Sequence, residues 1–457
     1  METSFLSGLL QNISSRGRSF LGYPRTKATT PDELLKLANA LISGRGEATG
    51  VALASDILSR YASLSADDRT EFLLGINDQF GPDLDKIHKA IEAYQKKPDA
   101  RNADALHAAS EPKRQELIRR LNLAPNGTYA LVKIREDVQA RLKAHPTLAA
   151  LDQDFIHLFS SWFNRGFLVL RRIDWSTPAN ILEKIIHYEA VHAIESWDDL
   201  RRRLEPNDRR LYAFFHPALV DEPLIFVEVA LMADIPNAIA PLLTADSGSR
   251  ASNKFTTAVF YSISNAQPGL AGVSFGNFLI KQVVEELKRE MSQLETFVTL
   301  SPVPGFAKWL LQVMAEPENP LITSTEREIL SHLNTMNWIE NPQLIENISK
   351  TMLPLAAHYF LIERDKNGRA SDPVSRFHLG NGARLERLNM IGDRSKKGLH
   401  QSYGLMVNYL YDLTSIEANH EAYVGRGDVI ASPSVRKLLP PSSTNRALTK
   451  VFSTKDR

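Results

Sequence analysis

Apolar residues recur every three or four positions from Thr30 to about Asn164, and then the rhythm shortens. Leu34, Leu37, Ala38, Leu41 and Ile42 fall on one helical face. Thr30-Pro31-Asp32-Glu33 opens that helix with an N-cap, a proline at the first helical position and a capping-box glutamate, and Gly44 closes it. The same spacing predicts helices over Val51–Leu64, Asp67–Phe80, Leu84–Lys97, Lys113–Leu121, Tyr129–Lys143 and Leu148–Phe163. Short loops between amphipathic helices imply an antiparallel bundle. Phe72, Phe80 and Tyr94 sit at core spacing, and no polar constellation recurs on any face. A structural or assembly role follows for this region.

After Trp162 strand-like runs enter. Phe167–Ile173, Leu211–Phe215, Pro223–Leu231 and Phe255–Ser264 are rich in β-branched and aromatic residues, with a helix from Thr177-Pro178 through Tyr188 among them. Phe255–Ser264 leads through Gly269, Gly272 and Gly276 into an amphipathic helix carrying Phe278, Leu279, Val283 and Leu287. A further strand ends at an abrupt Ser301-Pro-Val-Pro-Gly305 turn. Helices return over 307–361, one opened by Thr323-Ser-Thr-Glu326. Gly380-Asn381-Gly382 between Pro373–Leu379 and Ala383–Asn389 predicts a hairpin, and a last helix is expected over Leu399–Leu413. The fold class is therefore α+β in two domains: an all-α helical bundle over 1–164, then a mixed α/β domain over 165–457.

Lys+Arg 54 against Asp+Glu 53 leaves a net charge of +1, so nothing draws the whole chain to nucleic acid or an anionic membrane. Any anion site must be local. Cys 0 excludes disulfides, cysteine nucleophiles and thiolate metal sites. No apolar run reaches the roughly 18 residues of a membrane span. The expected location is the cytoplasm, a reducing compartment. Arg16, Arg18, Arg25 and Lys27 lie in a first stretch without sustained amphipathic pattern, which reads as a frayed terminus.

Three places could carry chemistry. The glycines before the helix let a ligand approach the backbone, and the helix start offers unpaired N–H groups to an anion such as a pyrophosphate; equally, they permit close helix–sheet packing. Ser301 sits in a stiff corner between a strand and two prolines, fit for catalysis or for a local turn bond. His378, read as a strand residue beside Arg376, is a candidate proton carrier or a solvated side chain. Tyr411 is read as a helix residue. The other histidines are scattered, with no His-x₃-His or His-Glu-x-x-His, so no metal site is expected.

The runs HPALVDEPLIFVEVAL, FYSISNAQPGLAGVSFGNFLIK, LSPVPGF, FHLGNGA and GLMVNYLY, in this order over about residues 160–425, resemble malonyl-CoA decarboxylase. That family's catalytic domain is similar to the N-acetyltransferase superfamily, whose turn before the central helix cradles coenzyme A. The Arg/Gln-x-x-Gly-x-Gly/Ala pattern of that superfamily falls on Ala271 to Gly276. It is degenerate here, with Ala271 and Ser274 as departures and Gly276 retained. The resemblance implies Ser301 and His378 as catalytic residues. It implies substrate binding by Ala271, Gly272, Val273, Ser274, Phe275, Gly276, Asn277 and Tyr411. It also implies malonyl-CoA and acetyl-CoA as ligands, no separate cofactor, and homo-oligomers built through the helical domain. An acyl-CoA-dependent N-acyltransferase and a non-catalytic acyl-CoA sensor are the alternatives.

Overall fold

The computed structural model describes residues 30–43, 47–244, 255–273, 279–335 and 338–439. The chain forms two compact units, one holding residues 1–169, 215–224 and 267–275, the other 170–214, 225–266 and 276–457.

The first unit is helical, with helices over Pro31–Ile42, Glu47–Ala62, Ala66–Gln79, Leu84–Lys96, Ala100–Ser110, Lys113–Leu121, Gly127–Arg141 and Ala149–Trp162. Thr30 caps the first, its hydroxyl accepting from the Glu33 N–H at 3.3 Å. Leu34, Leu41, Phe72, Phe80, Phe155 and Phe159 form a buried core. Two features depart from expectation. Ala100–Ser110 is a helix that its weak apolar pattern concealed; its start is marked by Asp99, which accepts from the Asn102 N–H. Tyr94 is exposed rather than core, because no residue of Leu84–Lys96 or Ala100–Ser110 is buried. Within this unit the turn Pro268–Leu270 lies against the helix Gly127–Arg141. The buried Arg135 donates to the Gly269 carbonyl and to Asp152, each at 2.8 Å.

The second unit is built on an eight-stranded mixed sheet. Its strands are β1 (Val169–Ile173), β2 (Arg209–Phe215), β3 (Pro223–Met232), β4 (Thr257–Asn265), β5 (Thr296–Thr299), β6 (Ser301–Pro302), β7 (Arg384–Asn389) and β8 (Met406–Leu410). The order is β1-β2-β3-β4-β5-β8-β6, with β7 paired to β8. β4 and β5 run parallel through the crossover helix Leu279–Glu290, as strand–helix–strand connections demand. Their pairing runs only from Thr257↔Thr296 to Phe260↔Thr299, although β4 continues to Asn265. Opposite β3, β4 carries an irregularity between the partners of Glu228 and Val229. The last bond between β4 and the chain leaving β5 runs from the Leu300 N–H to the Phe260 carbonyl at 3.0 Å, just before Ser301.

Two expected elements are corrected. Pro373–Gly380 is a helix, not a hairpin strand. Asp372 caps it, Pro373 supplies a preset φ at its start, and Asn381-Gly382 ends it with Gly382 at φ +82°. The sequence Asn-Gly was thus a helix stop. The expected helix Leu399–Leu413 covers only Lys396–Ser402; Tyr403 and Gly404 adopt φ +53° and +79°, and the chain leaves as β8.

Candidate active site

The start of β6, the last turn of the helix Pro373–Gly380 and the exit from β8 bring Ser301, His378 and Tyr411 into one chain of hydrogen bonds. Thr299 fixes the first link. Its carbonyl accepts from Asn408 Nδ2 at 2.8 Å, and its hydroxyl accepts from the Tyr409 N–H at 3.2 Å. Ser301 Oγ donates to Thr299 Oγ1 at 2.8 Å and lies 3.1 Å from His378 Nε2. The Tyr411 hydroxyl lies 2.8 Å from His378 Nδ1, and its own N–H is pinned to the Phe297 carbonyl. The Tyr409 ring stacks on the imidazole, centroids 4.6 Å apart and planes 24° apart.

Ser301 is 5% exposed and His378 3%. Burial pushes the imidazole down to about 3, so the ring is neutral at neutral pH. Burial likewise raises the Tyr411 and Tyr409 phenols well above their ordinary value. The proton count then fixes the tautomer. Ser301 has one proton and spends it on Thr299, so Nε2–H donates to Ser301 Oγ, and the bare Nδ1 accepts from Tyr411. A hydroxyl and an imidazole at this distance can either activate an oxygen nucleophile or pass a proton through the oxygen to a substrate atom.

The sequence-derived residues divide into three groups. Ser301 and His378 meet. Tyr411 is joined to them, through the ring nitrogen that faces away from Ser301. In the glycine turn, Ala271 is exposed, Val273 is buried, and Gly272 takes φ +78° with open space where a Cβ would stand. Ser274, Phe275, Gly276 and Asn277 lie outside the described residues. Gly269 serves packing: a Cβ there would come within 2.1 Å of the Val132 carbonyl oxygen. Sequence reasoning missed Thr299, Tyr409 and Asp372. Asp372-Pro373 carried the same N-cap and proline signature that was recognised at Thr30-Pro31.

Comparison with known proteins follows the same lines. The family model for the malonyl-CoA decarboxylase C-terminal domain matches residues 166–449, and that for the N-terminal domain matches residues 80–163. A crystal structure of malonyl-CoA decarboxylase from Rhodopseudomonas palustris is 60% identical, covering 90% of this chain and 100% of its own, with a TM-score of 0.87. The Agrobacterium vitis counterpart is 53% identical, covering 89% and 100%, with a TM-score of 0.85. The mitochondrial malonyl-CoA decarboxylase of Anser anser anser is 35% identical over 427 residues, 86% of this chain and 84% of that protein.

Proposed function

The chain belongs to the malonyl-CoA decarboxylase family, and we propose that Ser301, His378 and Tyr411 perform the conversion of malonyl-CoA to acetyl-CoA and carbon dioxide. The observation that carries the assignment is the buried 3.1 Å contact between Ser301 Oγ and His378 Nε2. Decarboxylation needs the carboxylate held out of the carbonyl plane, an electron sink and a proton. The thioester carbonyl is the sink, so the reaction proceeds without metal or organic cofactor. Among the described residues no charged neighbour offsets the burial that keeps His378 neutral. A malonyl carboxylate beside the ring supplies that counter-charge and favours uptake of a proton. The C–C bond then breaks, carbon dioxide leaves, and the electron pair passes to the thioester oxygen as an enolate. Nε2 gives its proton to Ser301 Oγ as the Ser301 hydroxyl proton moves to the α-carbon. The products are neutral imidazole and acetyl-CoA. Tyr411 holds Nδ1 throughout, since a phenol can donate to the bare nitrogen and accept from the protonated one.

Gly272 and its neighbours bind coenzyme A in this reading, supported by the positive φ and the open space at that position. The chain works as a homo-oligomer in the cytoplasm. The largely exposed helical pair Leu84–Ser110 supports the first point, and a cysteine-free composition suits the second. Light scattering that shows a monomer at micromolar concentration would remove the oligomer. Incubation with malonyl-CoA and no amine tests the activity: a decarboxylase yields acetyl-CoA and carbon dioxide, whereas an N-acyltransferase or a sensor leaves the substrate intact.

A further inference from the structure

Ser301 and His378 stand on segments separated by 77 positions, and no covalent constraint sets the 3.1 Å between them. One buried side chain touches both segments. Asp372 is 1% exposed. Its Oδ1 accepts from the N–H groups of Val374 and Ser375, each at 2.9 Å, closing the first turn of the helix that carries His378. Its Oδ2 accepts from the Gly305 N–H at 3.3 Å, in the turn that starts at Ser301. The turn has little freedom to move elsewhere. A Cβ on Gly305 would lie 2.5 Å from the Tyr359 hydroxyl and 3.5 Å from Asp372 Oδ2.

We propose that Asp372 is a positioning residue that sets the distance between Ser301 and His378 by clamping the Ser301 turn to the start of the His378 helix. This rests on the roles given above to those two residues. The carboxylate touches neither of them, so its effect runs through backbone. The two halves of the clamp separate by substitution. Asparagine caps a helix as well as aspartate does, but an Asp372→Asn side chain that keeps its carbonyl on Val374 and Ser375 turns an NH₂ toward the Gly305 N–H. The cap survives and the bond to the turn is lost.

Turnover of malonyl-CoA by full-length Asp372→Asn and by wild type, with thermal melts of both, tests the proposal. The expected result is a kcat lowered about tenfold to a hundredfold, the scale of a sub-ångström to 1 Å misplacement. KM should stay within about twofold and Tm within a few degrees of wild type. A kcat equal to wild type overturns the clamp, as does a kcat that falls only in step with a lowered Tm and a raised KM. If Asp372→Asn does not fold, Asp372→Ser takes its place, since serine caps the helix but is too short to reach Gly305. Both variants unfolded would show a fold-wide requirement and overturn the specific role. An inactive wild type would instead refute the decarboxylase assignment, so the two failures are distinct.

Discussion

A buried imidazole that stays neutral shapes both the chemistry and the pH response of this protein. His378 has an ordinary value of 6.5 and is pushed down to about 3 by burial. Between those values the unfolded chain binds the proton more readily than the folded one, so stability rises with pH across the window. It is lost as pH falls from 6.5 toward 3, at a slope of up to about 1.4 kcal/mol per pH unit from this residue. Denaturant unfolding of wild type and His378→Gln between pH 7 and pH 4 should show wild type losing more stability on acidification. Equal losses would mean that His378 is not held neutral. His192, also pushed down by burial to about 4, contributes equally to both proteins and cancels in the comparison. At this scale Ser301 and His378 could be singled out because their neighbours form distinctive runs. The contact of Tyr411 with Nδ1 could not, since a contact between positions 33 apart depends on β8 and the helix Pro373–Gly380 meeting.

At the scale of elements, sequence could not separate the packing role of the glycine turn before the crossover helix from the coenzyme A binding proposed for it. Gly269 is tight against Val132, so Gly269→Ala should cost about 1–3 kcal/mol of stability and leave coenzyme A affinity unchanged. Gly272→Ala meets open space and pays only the left-handed backbone cost of about 1–2 kcal/mol, yet it should weaken coenzyme A binding. Calorimetric titration with coenzyme A beside a thermal melt separates them. Unchanged affinity in Gly272→Ala would remove that turn from the binding site. Helices with a strong apolar stripe were readable to within a few residues: Lys113–Leu121 is as expected, and Thr323–Glu326 forms its capping box. Short elements defeated the pattern. Seven residues after Asp372-Pro373 became helix because a cap outweighed a weak alternation, and Met406–Leu410 became strand because Gly404 ended the helix before it.

Over the whole molecule, the change from helical to strand periodicity near Trp162 marked the passage from a helical region to a mixed sheet. It did not show that 215–224 and 267–275 group with the helical unit, because that depends on long-range packing of loops. The mixed sheet has one consequence for catalysis: it delivers β5, β8 and the helix Pro373–Gly380 to one place, where a hydroxyl, a neutral imidazole and a phenol line up. The central claim is that this line supplies the proton that completes decarboxylation. The most direct measurement is kcat for acetyl-CoA formation from malonyl-CoA, without amine, by wild type and His378→Ala of matching circular dichroism. Wild type should turn over, and the variant should fall by roughly 10² or more, the usual size of general acid–base catalysis. Wild-type turnover in His378→Ala would contradict the account.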